Sequence, residues 1–195
     1  MRLGVLVMAA GASSRYGGCK LLAKIKEKPL LEYVVANAVA LKPIYLAVVT
    51  GAWHEQIRAA QTSGILTRVP LLLNQGWQKG LGHSIAFGVS KLSDEVDKLL
   101  IVLADQVAIT TENLQVLCAA SGSAQISCAF YAGKRGVPAV FDKTCFKMLS
   151  QLEGDRGAKV LLYNPELDIC DIQMPEAAMD IDTPEDLEII SETFC

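Results

Sequence analysis

Short apolar runs alternate with longer amphipathic segments along the first half of the chain. The runs are rich in Val, Leu and Ile and are apolar on both faces, which is typical of strands in a parallel sheet that is covered on both sides. They are LGVLVMAA (3–10), IYLAVVTG (44–51), VPLLLN (69–74) and KLLIVLAD (98–105). The pattern predicts β-strands that are separated by helices.

Helical periodicity accounts for the segments between these runs and for much of the second half. It predicts helices over residues 29–42, 54–64 and 81–92, and Pro29 suits the first turn of the first of them. Further on it predicts a helix over 110–122 capped by Thr110, strands over 125–131 and 137–142, and helices over 143–152 and 183–194. This alternation predicts one α/β domain over residues 1–195, with a doubly wound, mostly parallel sheet and helices on both faces.

Composition and charge narrow the functional class. The chain has 195 residues, of which 51% are hydrophobic, enough for one compact domain with a sizeable core. Its formal net charge of −3 gives no general attraction to nucleic acid or to an anionic membrane, and no apolar stretch approaches the ~20 residues that cross a bilayer. We therefore expect a soluble cytoplasmic protein that binds neither nucleic acid nor membranes.

Two further features bear on that expectation. The six cysteines are scattered without a CxxC pair, which in a chain this long and apolar indicates free thiols in a reducing compartment rather than a disulfide framework or a zinc site. Residues 1–14 also have features of a secretory signal, because Arg2 precedes a short apolar run that ends in small residues. The same strand-then-loop pattern recurs later in the chain, which favours a strand over 3–10.

The loop after the first predicted strand has the composition of a phosphate-binding loop. In a doubly wound sheet, ligands bind beyond the carboxyl ends of the strands. Gly11 allows the backbone to approach a ligand closely, Ser13 and Ser14 add hydroxyl groups, and Arg15 and Lys20 add two cations. Bare amides beside paired cations predict a cradle for phosphate, with a surface loop that carries two charges as the alternative.

Carboxylates at two other points predict a metal site. Asp105 ends the apolar run 98–105 at the same edge of the sheet, where a carboxylate is costly to bury unless it is paired or binds a metal. Asp180 and Asp182 alternate in DIDTPED and are predicted to face one side of a strand. Because Mg²⁺ prefers oxygen ligands, we expect it at Asp105 and Asp182, with Asp180 as the alternative second ligand. Asp182 could instead cap the helix over 183–194.

Motifs over nearly the whole chain resemble one family. MAAGASSRYGGCK (8–20) resembles the AAGxSxRxGxxK signature of the nucleotidyltransferases that include molybdenum cofactor cytidylyltransferase and its guanylyltransferase relative. Further segments resemble the family's motifs in the same order. They are NQGWQKGLGHSI (74–85), LADQV (103–107), GVPAVF (136–141), GDRGAK (154–159) and DIDTPED (180–186).

The resemblance implies a fold, a reaction and a set of site residues. The fold is a single Rossmann-like domain, and the reaction moves a nucleoside monophosphate from a nucleoside triphosphate to a phosphorylated acceptor, with Mg²⁺ and release of pyrophosphate. The AAG form resembles the cytidylyl branch, which implies CTP, a molybdopterin-type acceptor and a molybdenum hydroxylase as the client protein. The implied catalytic residues are Arg15, Lys20 and Asp105, and the implied nucleotide-binding residues are Ala9, Ala10, Gly11, Ser13, Ser14, Arg15, Lys20, Asn74, Gly80 and Ser84.

Several points stay open at this stage. Val107 stands where the family usually has proline, which puts the shape of the acceptor side of that loop in question. The turn with Glu153, Asp155 and Arg156 either contacts the acceptor or simply ends a helix, and His83 either faces the base or sugar or lies in solvent. For Trp77, core packing is the favoured role.

Two other functions are compatible with the residues. One is a guanylyltransferase, or a nucleotidyltransferase of the same fold that acts on a sugar or polyol phosphate. The other is a non-catalytic accessory protein that binds the cofactor for a molybdenum hydroxylase. The presence of both loop cations and of Asp105 favours catalysis, because a delivery protein has no need of a metal-held triphosphate.

Overall fold

A computed structural model of the chain describes residues 2–122 and 124–193. Its strands are β1 (Leu3–Ala9), β2 (Lys24–Ile25), β3 (Lys28–Pro29), β4 (Tyr45–Thr50), β5 (Leu71–Leu73), β6 (Lys98–Leu103), β7 (Ile126–Tyr131), β8 (Lys134–Asp142) and β9 (Ile169–Gln173). Its α-helices are α1 (Leu30–Ala40), α2 (His54–Thr62), α3 (Leu81–Val89), α4 (Thr111–Ala120), α5 (Phe146–Leu149), α6 (Lys159–Leu162) and α7 (Pro184–Thr193).

One mostly parallel sheet forms the centre of the molecule. Its seven strands lie in the order β5–β4–β1–β6–β8–β7–β9, and β2 and β3 form a separate hairpin. β8 pairs antiparallel with both of its neighbours, whereas the other neighbouring pairs are parallel. The carboxyl ends of β1, β4 and β6 therefore open at one edge of the sheet, where the doubly wound topology places ligands.

Helices cover both faces of the sheet, as the sequence predicts. Side chains of β1 alternate between two buried clusters: Val5 and Val7 pack with residues of α1, α2, α4 and α7, and Leu6 and Met8 pack with residues of α3, α5 and α6. This alternation is what a strand buried on both faces requires. The α/β fold prediction is confirmed, and residues 3–9 form a strand inside the sheet.

The sequence pattern misses or overextends a few elements. The predicted helix over 143–152 is shorter, with a 3₁₀ turn at Lys143–Cys145 followed by α5, and β9 and α6 were not predicted. The strand expected around Asp180 and Asp182 is wrong, because residues 179–182 have no regular secondary structure. The predicted cap at Thr110 is confirmed: its side chain accepts a hydrogen bond from Asn113 N, and the Asn113 side chain accepts one from Thr110 N.

Two structural findings concern cysteines and membranes. The five cysteines within the described residues are free, as predicted, while Cys195 lies outside those residues. Over the same part of the chain, none of the helices has the length and apolar character needed to cross a membrane.

The loop after β1 is held in place by the turn that leads from β4 into α2. Ala52 N donates to Ala10 O at 3.2 Å, and Trp53 Nε1 donates to Ala12 O at 3.0 Å. Gly51 makes this approach possible, because a Cβ there would lie 2.5 Å from Ala10 O and 2.7 Å from the Trp77 side chain. The position of the loop thus depends on a residue without a side chain.

This contact generates a stability prediction. Gly51→Ala is expected to lower the free energy of unfolding by about 1–3 kcal/mol, because the added methyl group meets backbone that has no room to move. Chemical denaturation followed by circular dichroism measures the change. The control is Gly122→Ala, where a Cβ meets only Ala119 O at 3.5 Å. Equal stabilities for the two variants would contradict the steric explanation.

Candidate functional site

A cavity of about 730 Å³ opens at the carboxyl ends of β1 and β6. Its volume is in the range of small-molecule sites. Of the residues that the sequence implies for nucleotide binding, the cavity is lined by Ala9, Ala10, Gly11, Ser13, Ser14, Arg15, Lys20, Gly80 and Ser84. Asp105 and Asp182, the expected metal ligands, line the same cavity. Residues that are far apart in the sequence therefore meet around one space.

Lys20 lies at the centre of an ionic network in this cavity. Its Nζ donates to Asp105 Oδ2 at 2.7 Å, to Ile181 O at 2.6 Å and to Asp182 Oδ1 at 3.2 Å. Arg15 Nη1 donates to Asp182 Oδ2 at 2.8 Å, so Asp182 joins the two cations of the loop. The side chain of Arg15 is 74% exposed and can turn toward a ligand, whereas that of Lys20 is only 11% exposed.

The ammonium group of Lys20 is not free to bind a phosphate in this structure. An ammonium group has three N–H donors, and all three are used within the protein. Burial alone lowers the pKa of Lys20, but the charges and hydrogen bonds of Asp105 and Asp182 outweigh it, so the pKa is raised and the group stays charged. Lys20 can therefore contact a phosphate only by giving up one of its present acceptors.

The acidic pair near the end of the chain divides between two cavities. Asp182 lines the cavity of Lys20, whereas Asp180 lines a second cavity of about 540 Å³. Burial, followed by the charges of Asp105 and Asp182, raises the pKa of Asp180 to about 6. The two carboxylates therefore line adjoining cavities, and the segment that carries them has no regular secondary structure.

Asp182 is not the cap of α7. Asp186 Oδ2 accepts the backbone N–H groups of Asp182 and Thr183 at 3.0 and 2.8 Å, and Thr183 Oγ1 accepts Asp186 N at 3.2 Å. These reciprocal bonds satisfy the start of the helix. The carboxylate of Asp182 is consequently free of that task and bonds to the cations of the cavity.

Asn74 is placed differently from the sequence expectation. It is 1% exposed and does not line the cavity. Its Nδ2 donates to Ser84 Oγ at 3.0 Å and lies 3.2 Å from His83 Nδ1, and its Oδ1 accepts Gly76 N at 3.0 Å. Asn74 therefore shapes the turn that leads into α3, and the His83 ring packs beside Gly76.

The glycines at the start of α3 accommodate a neighbouring loop. Gly82 N donates to Gly154 O at 2.7 Å, and a Cβ on Gly82 would lie 2.6 Å from Glu153 O. A Cβ on Gly80 would lie 2.5 Å from both Gly154 O and Asp155 Oδ1. This contact brings Asp155 to the edge of the first cavity, a placement that the sequence pattern around residues 153–156 left undecided.

The second cavity adjoins the first. Both are lined by Leu81, Leu103 and Asp155. The second also has an apolar wall that includes Ile85 and Ile101, and it is lined by the side chains of Tyr131, Lys134, Arg156, Lys159 and Asp180. The sequence pattern did not indicate Tyr131, Lys134 or Lys159 as residues of a site. The GDRGAK motif, which ends at Lys159, is the sequence feature that lies closest to this cavity.

The acidic residues of the first cavity fit a divalent cation that is shared with a ligand. Among residues 2–122 and 124–193, no group of three His, Cys, Asp or Glu side chains is arranged to hold a metal. Asp105 and Asp182 nevertheless accept hydrogen bonds from one ammonium group, so both lie within reach of a single cation. Mg²⁺ needs only one or two protein carboxylates when phosphate oxygens and water supply its other ligands.

Two curated proteins are similar to this chain in amino-acid sequence. The chain is 28% identical to the purine catabolism protein PucB of Bacillus subtilis (strain 168) over 191 residues, which are 94% of this chain and 93% of PucB. It is 32% identical over 116 residues to the bifunctional protein GlmU of Cutibacterium acnes, which covers 57% of this chain and 27% of GlmU.

The fold and the family follow from two further comparisons. The crystal structure of Rv0371c from Mycobacterium tuberculosis H37Rv matches with a TM-score of 0.85 at 22% identity, covering 98% of both chains. The structure of Rv0371c in complex with manganese matches with a TM-score of 0.83 at 20% identity, and the match covers 99% of this chain and 100% of that chain. The family model of the MobA-like NTP transferase domain matches residues 5–169. This chain therefore belongs to the MobA-like NTP transferase family.

Proposed function

We propose that this protein transfers CMP from CTP to a phosphorylated acceptor of the molybdopterin type, with a divalent metal and release of pyrophosphate. The observation that carries the proposal is the network of Lys20, Arg15, Asp105 and Asp182 on the wall of the first cavity. Nucleotidyl transfer asks the protein mainly to position phosphates and to neutralise their charge. A network of cations and hard oxygen ligands beside a glycine loop suits both tasks.

The reaction exchanges one phosphoanhydride bond for another. An oxygen of the acceptor phosphate forms a bond to the α-phosphorus of CTP, the bond from that phosphorus to the oxygen leading to the β-phosphate breaks, and its electron pair leaves with pyrophosphate. The loop that carries Gly11, Ser13 and Ser14 would receive the triphosphate through bare amides and hydroxyl groups. Arg15, which is exposed, would neutralise the departing pyrophosphate.

Asp105 and Asp182 would hold the metal ion together with oxygens of the triphosphate. When bound, Mg²⁺ or Mn²⁺ supplies charge stabilisation at the phosphate that is transferred. Lys20 would then exchange at least one of its carboxylate partners for a phosphate oxygen, since its three donors are already in use. The solved manganese complex of Rv0371c supports a divalent metal in this fold.

The second cavity is the proposed site of the acceptor. It shares Asp155 with the first cavity, so a phosphate held there would face the triphosphate. Lys134, Arg156 and Lys159 make its lining suitable for an anionic ligand, and its apolar wall suits a ring. Val107, which stands where the family has proline, is 3% exposed and packs in the core, so its side chain forms no part of the lining of either cavity.

Two other functions have some support. A guanylyltransferase, or a nucleotidyltransferase that acts on a sugar or polyol phosphate, would use the same glycine loop and the same carboxylates. PucB is named for purine catabolism and aligns over 94% of this chain, which is compatible with a non-catalytic accessory role in delivery of a cofactor to a molybdenum hydroxylase. The intact ionic network favours an enzyme over a carrier.

The first experiment is a panel of nucleoside triphosphates and acceptors. CTP with molybdopterin is expected to release pyrophosphate with a higher kcat/KM than GTP, because a pocket that bonds one base leaves its polar groups unpaired with another. A coupled assay for pyrophosphate measures each combination. A preference for GTP would indicate the guanylyl function, release with sugar phosphates alone would indicate a sugar-phosphate nucleotidyltransferase, and nucleotide binding without release would indicate a carrier.

Substitution of the proposed metal ligands tests the mechanism. Asp105→Asn is expected to lower kcat about 10²–10³-fold with little change in CTP affinity, because the metal contributes most in the transition state. Asp182→Asn is expected to have a smaller effect, since that carboxylate is more exposed. Rates measured against Mg²⁺ concentration give the result, and Asp168→Asn, at the exposed position directly before β9, is the matched control. An unchanged rate and metal dependence in Asp105→Asn would overturn the assignment.

Lys20→Met is expected to change metal and nucleotide binding in opposite directions. Without the ammonium group, Asp105 and Asp182 are no longer neutralised, so the affinity for Mn²⁺ without nucleotide is expected to rise about tenfold. Loss of a charge-assisted phosphate contact is expected to lower kcat/KM for CTP about 10- to 100-fold. Titration of Mn²⁺ by electron paramagnetic resonance measures the first change.

The control for Lys20→Met is Lys24→Met, which removes an exposed lysine whose partner is Glu27. That variant is expected to match the wild type in both measurements. If Lys20→Met bound Mn²⁺ and CTP as the wild type does, Lys20 would have no part in either site.

A further inference from the structure

We propose that Gln106 is a positioning residue of this site, which fixes the segment 177–182 relative to Asp105. This inference rests on the proposed function, because that segment carries Asp182, a proposed metal ligand. Gln106 follows Asp105 directly in the chain and lines neither of the two large cavities. It therefore contacts no substrate and acts through the carboxylates beside it.

The side chain of Gln106 joins parts of the fold that carry the site. It is 1% exposed, and its Nε2 donates to Val137 O at 3.1 Å and to Ala177 O at 3.0 Å. Val137 belongs to β8, and Ala177 belongs to the 3₁₀ turn Pro175–Ala178 that precedes Asp180 and Asp182. One amide group thus ties the end of β6 to its neighbouring strand and to the start of the acidic segment.

The orientation of this amide is fixed by its partners. A flipped amide would place its oxygen against two carbonyl oxygens, so only the nitrogen can point toward Val137 and Ala177. The oxygen Oε1 is buried and has no hydrogen-bond partner among residues 2–122 and 124–193. A buried acceptor without a partner is destabilising, and an apolar side chain of the same length would avoid that cost. The two donated bonds are therefore the feature that explains an amide here.

Residues 177–182 are attached to the rest of the fold at two points near the proposed metal ligands. Gln106 holds its beginning through Ala177 O, and Lys20 holds its end through Ile181 O and Asp182. Lys20 alone does not define the distance between Asp105 and Asp182 throughout the reaction, because it has to give up at least one of its present acceptors when it contacts a phosphate. Gln106 keeps its contacts whichever partners Lys20 has, so it maintains the geometry of the carboxylates during that exchange.

A variant without the two hydrogen bonds of Gln106 distinguishes a positioning role from a contribution to general stability. In Gln106→Met, hydrogen exchange of the Met179 and Asp182 amides, which donate to Glu176 O and Asp186 Oδ2, is expected to become faster while amides of β1 stay protected. The affinity for CTP measured without a divalent metal is expected to stay unchanged, whereas kcat is expected to fall about tenfold to a hundredfold. The affinity for Mn²⁺ in the presence of CTP is expected to fall as well.

Further variants complete the experiment. Gln106→Asn keeps an amide that is too short to reach both carbonyls, so it is expected to lie between wild type and Gln106→Met, and it provides the test if the Met variant does not fold. Gln125→Met makes the same chemical change at a side chain that accepts a hydrogen bond from Asp168 N, directly before β9, and it is expected to leave all site measurements unchanged.

The possible outcomes distinguish failure of the positioning role of Gln106 from failure of the proposed function. Wild-type exchange of residues 177–182 together with wild-type kcat in Gln106→Met would overturn the positioning role. Equal loss in kcat and CTP affinity, with faster exchange across the whole sheet, would also overturn it and indicate general destabilisation. If wild-type protein transferred no nucleotide to any acceptor, the proposed function would fail, while the exchange and Mn²⁺ measurements would still decide the role of Gln106.

Discussion

The buried ammonium group of Lys20 is the interaction on which the architecture of the site depends. A buried cation is destabilising unless its donors are paired, and here the acceptors come from Asp105, Ile181 and Asp182. These acceptors belong to the end of β6 and to the segment before α7. One side chain therefore joins the loop after β1 to parts of the chain that lie 85 and 162 residues further along.

Close contact between backbone segments gives the site its shape. At Gly51, Gly80 and Gly82, the space that a Cβ would occupy is filled by carbonyl groups or side chains of neighbouring loops. The absence of side chains lets the β1 loop rest on the turn after β4 and lets residues 153–155 rest on the start of α3. The loop that carries Asp155 is consequently held against the start of α3 by close backbone contacts.

The electrostatic character changes from one cavity to the next. The first contains carboxylates that are paired with Lys20 and Arg15, and the second combines three basic residues with Asp180, whose pKa is raised to about 6 by burial and by the neighbouring acidic charges. Neighbouring cavities that each carry basic side chains suit the approach of two anionic molecules. Their mutual repulsion would otherwise oppose a reaction between phosphates, so this arrangement suits the transfer that we propose.

The sequence by itself determined the α/β fold and most strands and helices, and it placed the Gly11 loop and Asp105 at one edge of the sheet, because each depends on local periodicity or on residues close together in the chain. It also pointed to Asp182 through a motif. Only the tertiary structure decided that Lys20 bonds to the acidic residues, that Asn74 supports a turn, that Asp180 faces a separate cavity and that Gln106 connects distant carbonyl groups. Those outcomes depend on contacts between residues far apart in sequence, and no local pattern records which side chains will meet when the sheet brings its loops together.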